Sequence, residues 1–482
     1  MGIGYFQLNV TSKQDRYLVG NPQFTYFKSV YKRHTNFCLE TQFVNFVGET
    51  SMGHGASSNF GKKIYANIPK NGDLLYRMYL VIDTQWNYAE STITDFQKKL
   101  GVDAQGLIDY IQIQIGDQII DKHPGEWLHM YNEIMLGDQQ VMLSDMINLH
   151  NNINPNNKNK PPLRDGLIYI PLQFWFNNNP GLALPLLALQ YSNIKLDVKF
   201  NSKNLITNDN DSGKFRICNV QLLAEYIHLD INEKNLFVKN DHEYLIEQIQ
   251  YCNNINVPLK TDKYPSREEC GINVGDLQYS ENQQKFELAF NHPIKALFWA
   301  IQDDSSNKNV NNLNYIDCMN NVQSRINTGN NLFNYWFNLD WDNRINQIID
   351  ATIAVNGQEI FNPIDANYFN SVLKYQYYDN NGYTDLESGI PAEPLKNIDV
   401  SYNKGSGIYC YSFALNPVEH QPSGTLNFSK LDKVELRLRI RRDSSVLKKN
   451  GGSLTQKKLK VYAINYNILR IMSGHAGLAF SN

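Results

Sequence analysis

The side chains best suited to acid–base or metal chemistry are few in this sequence and poorly spaced. His123 and His129 flank the segment PGEWL, a separation that does not place both on one helical face, and no third ligand is evident nearby. We interpret His123 as a solvated loop residue and His129 as a helix-surface residue. Asp303 and Asp304 stand in QDDSSNKN, which is typical of a polar turn rather than of catalytic carboxylates facing each other across a cleft. Neither pair predicts a reaction centre.

Phosphate-binding and nucleophile motifs are also missing from the sequence. There is no G-x-S-x-G elbow, no Walker loop and no G-x-G-x-x-G after a strand. A basic run, RLRIRRDSSVLKK, could contact phosphates, but Arg437 and Arg439 alternate with apolar residues and are better explained as the wet face of a strand. The net charge of −3 also argues against a dedicated nucleic-acid binder. We expect no enzyme activity, no cofactor, no bound metal and no sequence-specific nucleic-acid binding.

The cysteines and the termini bear on the compartment. Six cysteines are scattered without a C-x-x-C pair, which favours reduced thiols in a cytosol-like compartment over a disulfide framework or a zinc site. No basic segment followed by an apolar one indicates a secretory signal. No run of about 18 apolar residues predicts a membrane span.

Strict two-residue alternation dominates the chain and predicts strands. YIQIQIGDQII places Ile111, Ile113 and Ile115 on one face before a hairpin break, and ATIAVNGQEI repeats the design before Asn356-Gly357, a strong type I′ turn signal. Aromatic residues make up 12% of the chain, which also favours β structure. Two short helices are predicted, GEWLHMYNEIML and DANYFNSVLKYQ, and each follows one of the two hairpins.

These matching segments reveal an internal repeat with an offset of 240 residues. Ile113 and Ile353 differ by 240, as do Ile115 and Val355. The same offset relates 168–169 to 408–409, the strand NIKLDVKF to KVELRLRI, and AEYIHL to INYNIL. The inward–outward parity is kept at each match, and a one-residue slip would turn every inward side chain outward. The pattern therefore indicates a duplicated domain.

The fold predicted from these patterns is all-β: two tandem eight-stranded jelly-roll β-sandwiches with short helical inserts in the loops. We assign residues 1–37 to an N-terminal arm, 38–230 to the first jelly roll and 231–482 to the second. The boundary is placed in the segment 229–244, where alternation lapses and charge rises.

Four long segments resemble the major capsid proteins of nucleocytoplasmic large DNA viruses. They are QDRYLVGNPQFTYFKSVYKRHTNF, IPLQFWFNNNPGLALPLLALQY, SFALNPVEHQPSGTLNFSKLD and VYAINYNILRIMSGHAGLAFSN. The resemblance implies a homotrimer that forms a pseudo-hexagonal capsomer and tiles a large icosahedral shell. It places the protein in the virion capsid, assembled in the host cytoplasm. The implied partners are neighbouring capsomers, minor capsid and penton proteins, and an inner viral membrane.

The arm is the first candidate assembly interface. Its residues Pro22, Phe24, Phe27, Tyr31 and Arg33 belong to an aromatic and basic segment outside the 240-residue repeat. In the resembling family the arm lies beneath the capsomer, which supports contacts with neighbouring subunits. A strap over the chain's own sandwich is the alternative.

The apolar stretch at residues 169–200 is the second candidate interface. We expect two strands here, the first ending at 177–180, joined by an apolar loop. Pro185 prevents this loop from forming a regular helix. The repeat's other copy replaces this apolar loop with NPVEHQPSGT, so we expect Leu184 and Leu187 to be buried between domains or subunits.

The main rival is a carbohydrate function; a penton or minor capsid protein would normally carry one jelly roll, and the duplication argues against it. A β architecture rich in Tyr and Trp also suits a carbohydrate-binding or carbohydrate-active jelly roll, which would carry a concave aromatic strip with a paired acid.

A charged substitution at Leu184 or Leu187 tests the interface prediction. Trimer formation is expected to fail, because a charge cannot be buried in an apolar contact. Sedimentation velocity reports the oligomer, and unchanged assembly would argue against the prediction.

Overall fold

The computed structural model describes residues 19, 21–52, 60–86, 104–135, 143, 146–147, 166–201, 215–257, 283–303, 337–338, 344–345, 348–378, 407–440 and 457–481. Asp304, Cys270 and Cys318 lie outside these ranges. The four described cysteines, at positions 38, 218, 252 and 410, are free thiols. No described helix is long and apolar enough to cross a membrane.

The structure describes nine strands in the first half of the chain. They are β1 (Phe37–Asn45), β2 (Lys63–Asn67), β3 (Leu74–Trp86), β4 (Ile108–Ile115), β5 (Gln118–Pro124), β6 (Gly166–Pro171), β7 (Leu184–Pro185), β8 (Ile194–Phe200) and β9 (Phe215–Leu229). Helices α1 (Gly125–Met135) and α2 (Trp175–Asn178) lie between described strands. Short 3-10 turns are formed by Ala104–Leu107, Pro180–Leu182 and Leu186–Ala188.

Helix α3 (Ile231–Lys239) connects the halves and is capped by the Asp230 carboxylate, which accepts from the Asn232 N–H at 2.6 Å. The second half contains β10 (His242–Val257), β11 (Gln284–Glu287), β12 (Pro293–Asp303), β13 (Phe337–Asn338), β14 (Arg344–Ile345), β15 (Ile348–Val355), β16 (Gln358–Glu359), β17 (Ile364–Asp365), β18 (Tyr409–Ser412), β19 (Leu426–Asn427), β20 (Val434–Ile440), β21 (Lys457–Met472) and β22 (His475–Leu478). Its helical elements are a π-helix (Tyr368–Val372), α4 (Leu373–Tyr377) and a 3-10 turn (Phe428–Lys430).

The two halves fold with the same strand order. In the first, the sheet β1-β9-β3-β6 faces the sheet β2-β8-β4-β5; in the second, β10-β21-β12-β18 faces β11-β20-β15-β16. Short strands extend these sheets: β7 on β3, β17 on β15, β19 on β12 and β22 on β21. Four strands against four in this order is the jelly roll, so the predicted all-β duplication is confirmed.

The strand register reproduces the 240-residue offset. Strand β4 pairs with β8 so that Ile113 lies opposite Leu196, and β15 pairs with β20 so that Ile353 lies opposite Leu436. Both differences are 240. The offset read from the sequence therefore reflects two equivalent strand pairs rather than a coincidence of composition.

The predicted type I′ turn is present. Asn356 and Gly357 adopt φ values of 49° and 87°, and β15 turns directly into β16. Positive φ at both central residues matches the right-handed twist of the flanking strands, and Gly accepts it without steric cost. The predicted helices are also present, as α1 and as the π-helix followed by α4.

The stretch at 169–200 differs from its prediction. Strand β6 ends at Pro171, and Trp175–Asn178 form helix α2 instead of continuing the strand to 177–180. The Asn177 side chain causes this: its carbonyl accepts from the Phe174 N–H at 3.1 Å, and its amide donates to the Tyr76 carbonyl at 2.6 Å. Leu184 then pairs with Leu75 through β7.

Each sandwich buries an apolar core between its sheets. Ile113 and Leu196 meet Leu80 and Leu222 in the first core. Ile353 and Leu436 are part of the second, with Trp299. All of these side chains are fully buried. Because the inward positions are branched aliphatic residues on alternating strand positions, the cores follow directly from the binary pattern.

Truncation of equivalent core residues tests the duplication energetically. Ile113→Ala and Ile353→Ala are each expected to lower the free energy of unfolding by about 2–5 kcal/mol, because both remove buried methyl groups and leave a cavity. Gln114→Ala, on the opposite face of β4, is the matched control and should change it by less than about 1 kcal/mol. Urea denaturation followed by tryptophan fluorescence measures all three, and a small effect at either isoleucine would contradict the core assignment.

Candidate assembly interface

The histidine singled out for chemistry is buried rather than solvated. His123 lies on β5 with 2% of its surface exposed, its Nε2 is 2.8 Å from Asp121 Oδ2, and its ring stacks on Phe174 at 4.6 Å. The loop interpretation was wrong because β5 continues through Pro124 and turns His123 inward. His129 is half-buried on α1. Among the described residues, no group of three or more His, Cys, Asp or Glu side chains could hold a metal ion.

Helix α1 joins the two sandwiches. Leu128 packs into the first core, whereas Trp127, Met130 and Ile134 are buried in the second. The Trp127 ring lies 5.5 Å from Phe298 and 5.6 Å from Tyr462. The i, i+3, i+7 spacing places these three side chains in a single apolar stripe on α1. This stripe packs into the core of the second sandwich.

A buried ion pair accompanies that apolar contact. The Lys460 ammonium pairs with the Glu126 carboxylate, and the Tyr462 hydroxyl donates to the same carboxylate at 3.0 Å. The Lys460 and Glu126 side chains are 8% and 14% exposed. A buried charge is costly unless paired, so this pair ties the first turn of α1 to one position along β21.

The edge strand β10 of the second sandwich also contacts the first sandwich. We call this whole contact between the two sandwiches, including that of α1 with β21, the seam. The Ile249 N–H donates to Asp121 Oδ1 at 3.1 Å, and the Gln248 side chain donates to the Ile120 carbonyl. Ile246 is fully buried in the first sandwich's core. Burial raises the pKa of the nearby Tyr244 to about 12, since the phenolate would lose its water. These contacts fix β10 against β5 of the first sandwich.

The hairpin formed by β21 and β22 also contacts the first sandwich. The Leu478 N–H donates to Gln118 Oε1 at 3.0 Å, and the Tyr191 N–H donates to the Gly474 carbonyl at 3.0 Å. Gly474 has φ +82°, and a Cβ there would lie 2.5 Å from the Tyr191 ring. Only glycine satisfies both conditions.

Strand β20 keeps the predicted alternation, but the expected wet face is wrong for Arg437, whose side chain is only 11% exposed. Arg437 pairs with Glu359 at 2.8 Å and with Glu435 at 2.9 Å, and Arg439 pairs with Asp350. These arginines are neutralised on the outer face of the sheet. They therefore do not form an open phosphate-binding surface.

The arm residues lie on the surface of the single chain. Phe24, Phe27 and Tyr31 are 64%, 98% and 85% exposed, and Pro22 and Arg33 are exposed as well. Large aromatic side chains left in water are typical of surfaces that are covered on association. The interface role of these five residues stays a prediction.

The two leucines of the apolar loop are placed differently. Leu184 is 1% exposed inside the first core, and Leu187 is half-buried with its N–H donating to the Asp73 carbonyl at 3.2 Å. A charge at Leu184 would disrupt the first sandwich before it could report on subunit contacts. Leu187 is therefore the more informative position for the subunit prediction, which stays open.

The comparisons with known proteins agree with this architecture. Residues 25–230 match the family model described as major capsid protein N-terminus, and residues 233–382 and 393–477 match large eukaryotic DNA virus major capsid protein. The chain is 33% identical to the major capsid protein of Pyramimonas orientalis virus over the full length of both. The chain belongs to the major capsid protein family of large eukaryotic DNA viruses.

Other relatives extend this result. The major capsid protein of Paramecium bursaria Chlorella virus 1 is 31% identical over the full length of both chains. The structure of PBCV-1 VP54, fitted into a reconstruction of the virophage Sputnik, superposes with a TM-score of 0.69 at 28% identity and covers 95% of this chain and 100% of that one. The resemblance seen in the sequence is confirmed, and the capsid protein has a structural role. The relatives favour this role over the carbohydrate alternative.

Neutralising Glu126 tests the seam of this capsid protein. Glu126→Gln is expected to lower the free energy of unfolding by roughly 3 kcal/mol, because it leaves the Lys460 charge buried without a counter-charge. Adding Lys460→Met should restore most of that loss.

The matched control is the exposed pair of Arg470 and Glu243, whose side chains are 52% and 58% exposed. Glu243→Gln should cost less than about 1 kcal/mol. Equal effects of the two glutamine substitutions in urea denaturation would show that the Glu126 pair is not buried in solution.

Proposed function

We propose that three copies of this chain form a pseudo-hexagonal capsomer that tiles a large icosahedral shell. The observation that carries the proposal is the repeated strand order, because one chain supplies two equivalent sandwiches and three chains supply six. A ring with exact threefold symmetry then approximates sixfold symmetry, and closed rings are the usual outcome of head-to-tail contacts that complete a rotation. A near-sixfold unit can tile a surface as a hexagon does.

Each segment of the chain has a separate role in the proposed capsomer. Residues 38–230 and 231–482 form the two wall units of the capsomer, and residues 1–37 form an arm that contacts neighbouring subunits. The exposure of Phe27 and Tyr31 supports the arm's role, because their burial on assembly would remove large apolar surfaces from water.

The further partners are neighbouring capsomers, minor capsid proteins and penton proteins, with assembly in the host cytoplasm. The arm's Lys28, Lys32 and Arg33 suit anionic lipid headgroups of an inner membrane or acidic surfaces of minor proteins. The protein works by assembly rather than by turnover.

The oligomer is the first test of this function. Sedimentation velocity at micromolar concentration should show a trimer, and electron microscopy should show hexagonal outlines. A monomer with affinity for glycans would overturn the capsomer and favour the carbohydrate alternative.

Trypsin cleavage at Lys28, Lys32 and Arg33 tests the arm. In the trimer or shell, cleavage should be on the order of tenfold slower than in the dissociated chain, because partner contacts hold the arm closed. A matched triple variant, Phe24→Ser with Phe27→Ser and Tyr31→Ser, should lose this protection. Equal protection in monomer and assembly would support the strap alternative instead.

A further inference from the structure

The contact between the two sandwiches of one chain has a simple form. A row of three aromatic side chains, Tyr251, Tyr462 and Phe298, crosses the adjacent strands β10, β21 and β12 in direct register. Helix α1, which follows β5 of the first sandwich, covers this row with Trp127. The contact is thus an apolar helix face on an apolar row.

The equivalent strands of the first sandwich carry an outward row, one residue away from the 240-residue offset, because Leu223 rather than Leu222 takes the place of Tyr462. Phe43, Leu223 and Tyr79 lie opposite one another across β1, β9 and β3. The next residues along these strands are Val44, Leu222 and Leu80, and all of them point into the first core. Because side chains alternate along a strand, the row points outward. Phe43 is 55% exposed, whereas its two neighbours in the row are half-buried.

The second sandwich carries the corresponding helix. The segment Tyr368–Tyr377, made of the π-helix and α4, follows β16 and β17 as α1 follows β5. Phe369 and Leu373 anchor it in the second core, as Leu128 anchors α1 in the first. Val372 and Tyr375, three residues apart, are 42% and 88% exposed. This spacing places them on one face of the helical segment.

We infer that the segment Tyr368–Tyr377 of one copy docks on the row Phe43–Leu223–Tyr79 of a second copy, in the manner of α1 within the chain. The occupant is a second copy because this chain holds both halves of the contact. The inference rests on the proposed capsomer and specifies which surfaces join its subunits. The resulting interface is heterologous, because each chain contributes one row and one helical segment to its neighbours. A closed ring of three chains then contains six such contacts, three within chains and three between chains.

Two single substitutions test the two halves separately. Phe43→Glu damages the row and Tyr375→Glu damages the helical face, and each places a charge at an exposed position that the fold does not need. Both variants are expected to sediment as monomers under conditions in which the unmodified chain is a trimer, with unchanged far-UV circular dichroism. Leu415→Glu, at another apolar residue that is 76% exposed, is the matched control and should remain a trimer.

Mixing the two variants decides whether the two positions meet. The Phe43→Glu chain keeps an intact helix and the Tyr375→Glu chain keeps an intact row, so an equimolar mixture should form a one-to-one heterodimer and no ring. Heterodimer formation also shows that both variants are folded. Leu39→Glu and Val372→Glu, at neighbouring exposed positions, repeat the test if either first variant aggregates.

The outcomes separate the inference from the function beneath it. An unmodified chain that is monomeric overturns the capsomer itself. An unmodified trimer with trimeric variants overturns this interface and leaves the capsomer standing. Monomeric variants that form no heterodimer on mixing also overturn the interface, because the two residues then do not lie on opposite sides of one contact.

Discussion

The burial of helix α1 of the first sandwich against the second sandwich is the interaction on which the rest of the chain depends. A sandwich of two four-stranded sheets has open edges and an outer face that water must cover or another element must bury. The second sandwich is covered in this way by Trp127, Met130 and Ile134 of α1. The first sandwich is covered in part by Ile246 of β10. Burying side chains of this size contributes about 1.5–3 kcal/mol each, so this contact holds the two sandwiches together.

Polar contacts then set the position of the two sandwiches relative to each other. Apolar burial is not directional, but the Lys460–Glu126 pair and the Asp121 contact with the Ile249 N–H each have one satisfactory geometry. Gly474 adds a steric condition at the final hairpin. A subunit intended for a shell benefits from such definition, because small angular errors within the chain would accumulate over many capsomers.

Much of the fold could be predicted from local patterns. The alternation in YIQIQI and ELRLRI, the Asn356-Gly357 turn and the two helical inserts all correspond to observed elements, since each depends on residues close in sequence. The interface was harder to predict. The expectation that His123 is solvated failed, and Leu184 lies in its own domain's core, because burial depends on strands and helices that are distant in the chain. The stripe on α1 was visible in the sequence, but periodicity cannot say which of two cores receives it.

By itself the sequence determined the all-β class, the duplication at 240 residues and the resemblance to viral capsid proteins. Periods of two residues, turn dipeptides and long shared motifs depend only on the order of residues along the chain. They can therefore be recognised in the sequence alone. Only the tertiary structure decided which apolar side chains are covered and which stay in water. Trp127 and Tyr375 are both aromatic residues on short helices after a hairpin, yet one is buried and the other is 88% exposed. The physical reason is that the first helix has a second sandwich beside it within the same chain, whereas the second helix has none among the described residues.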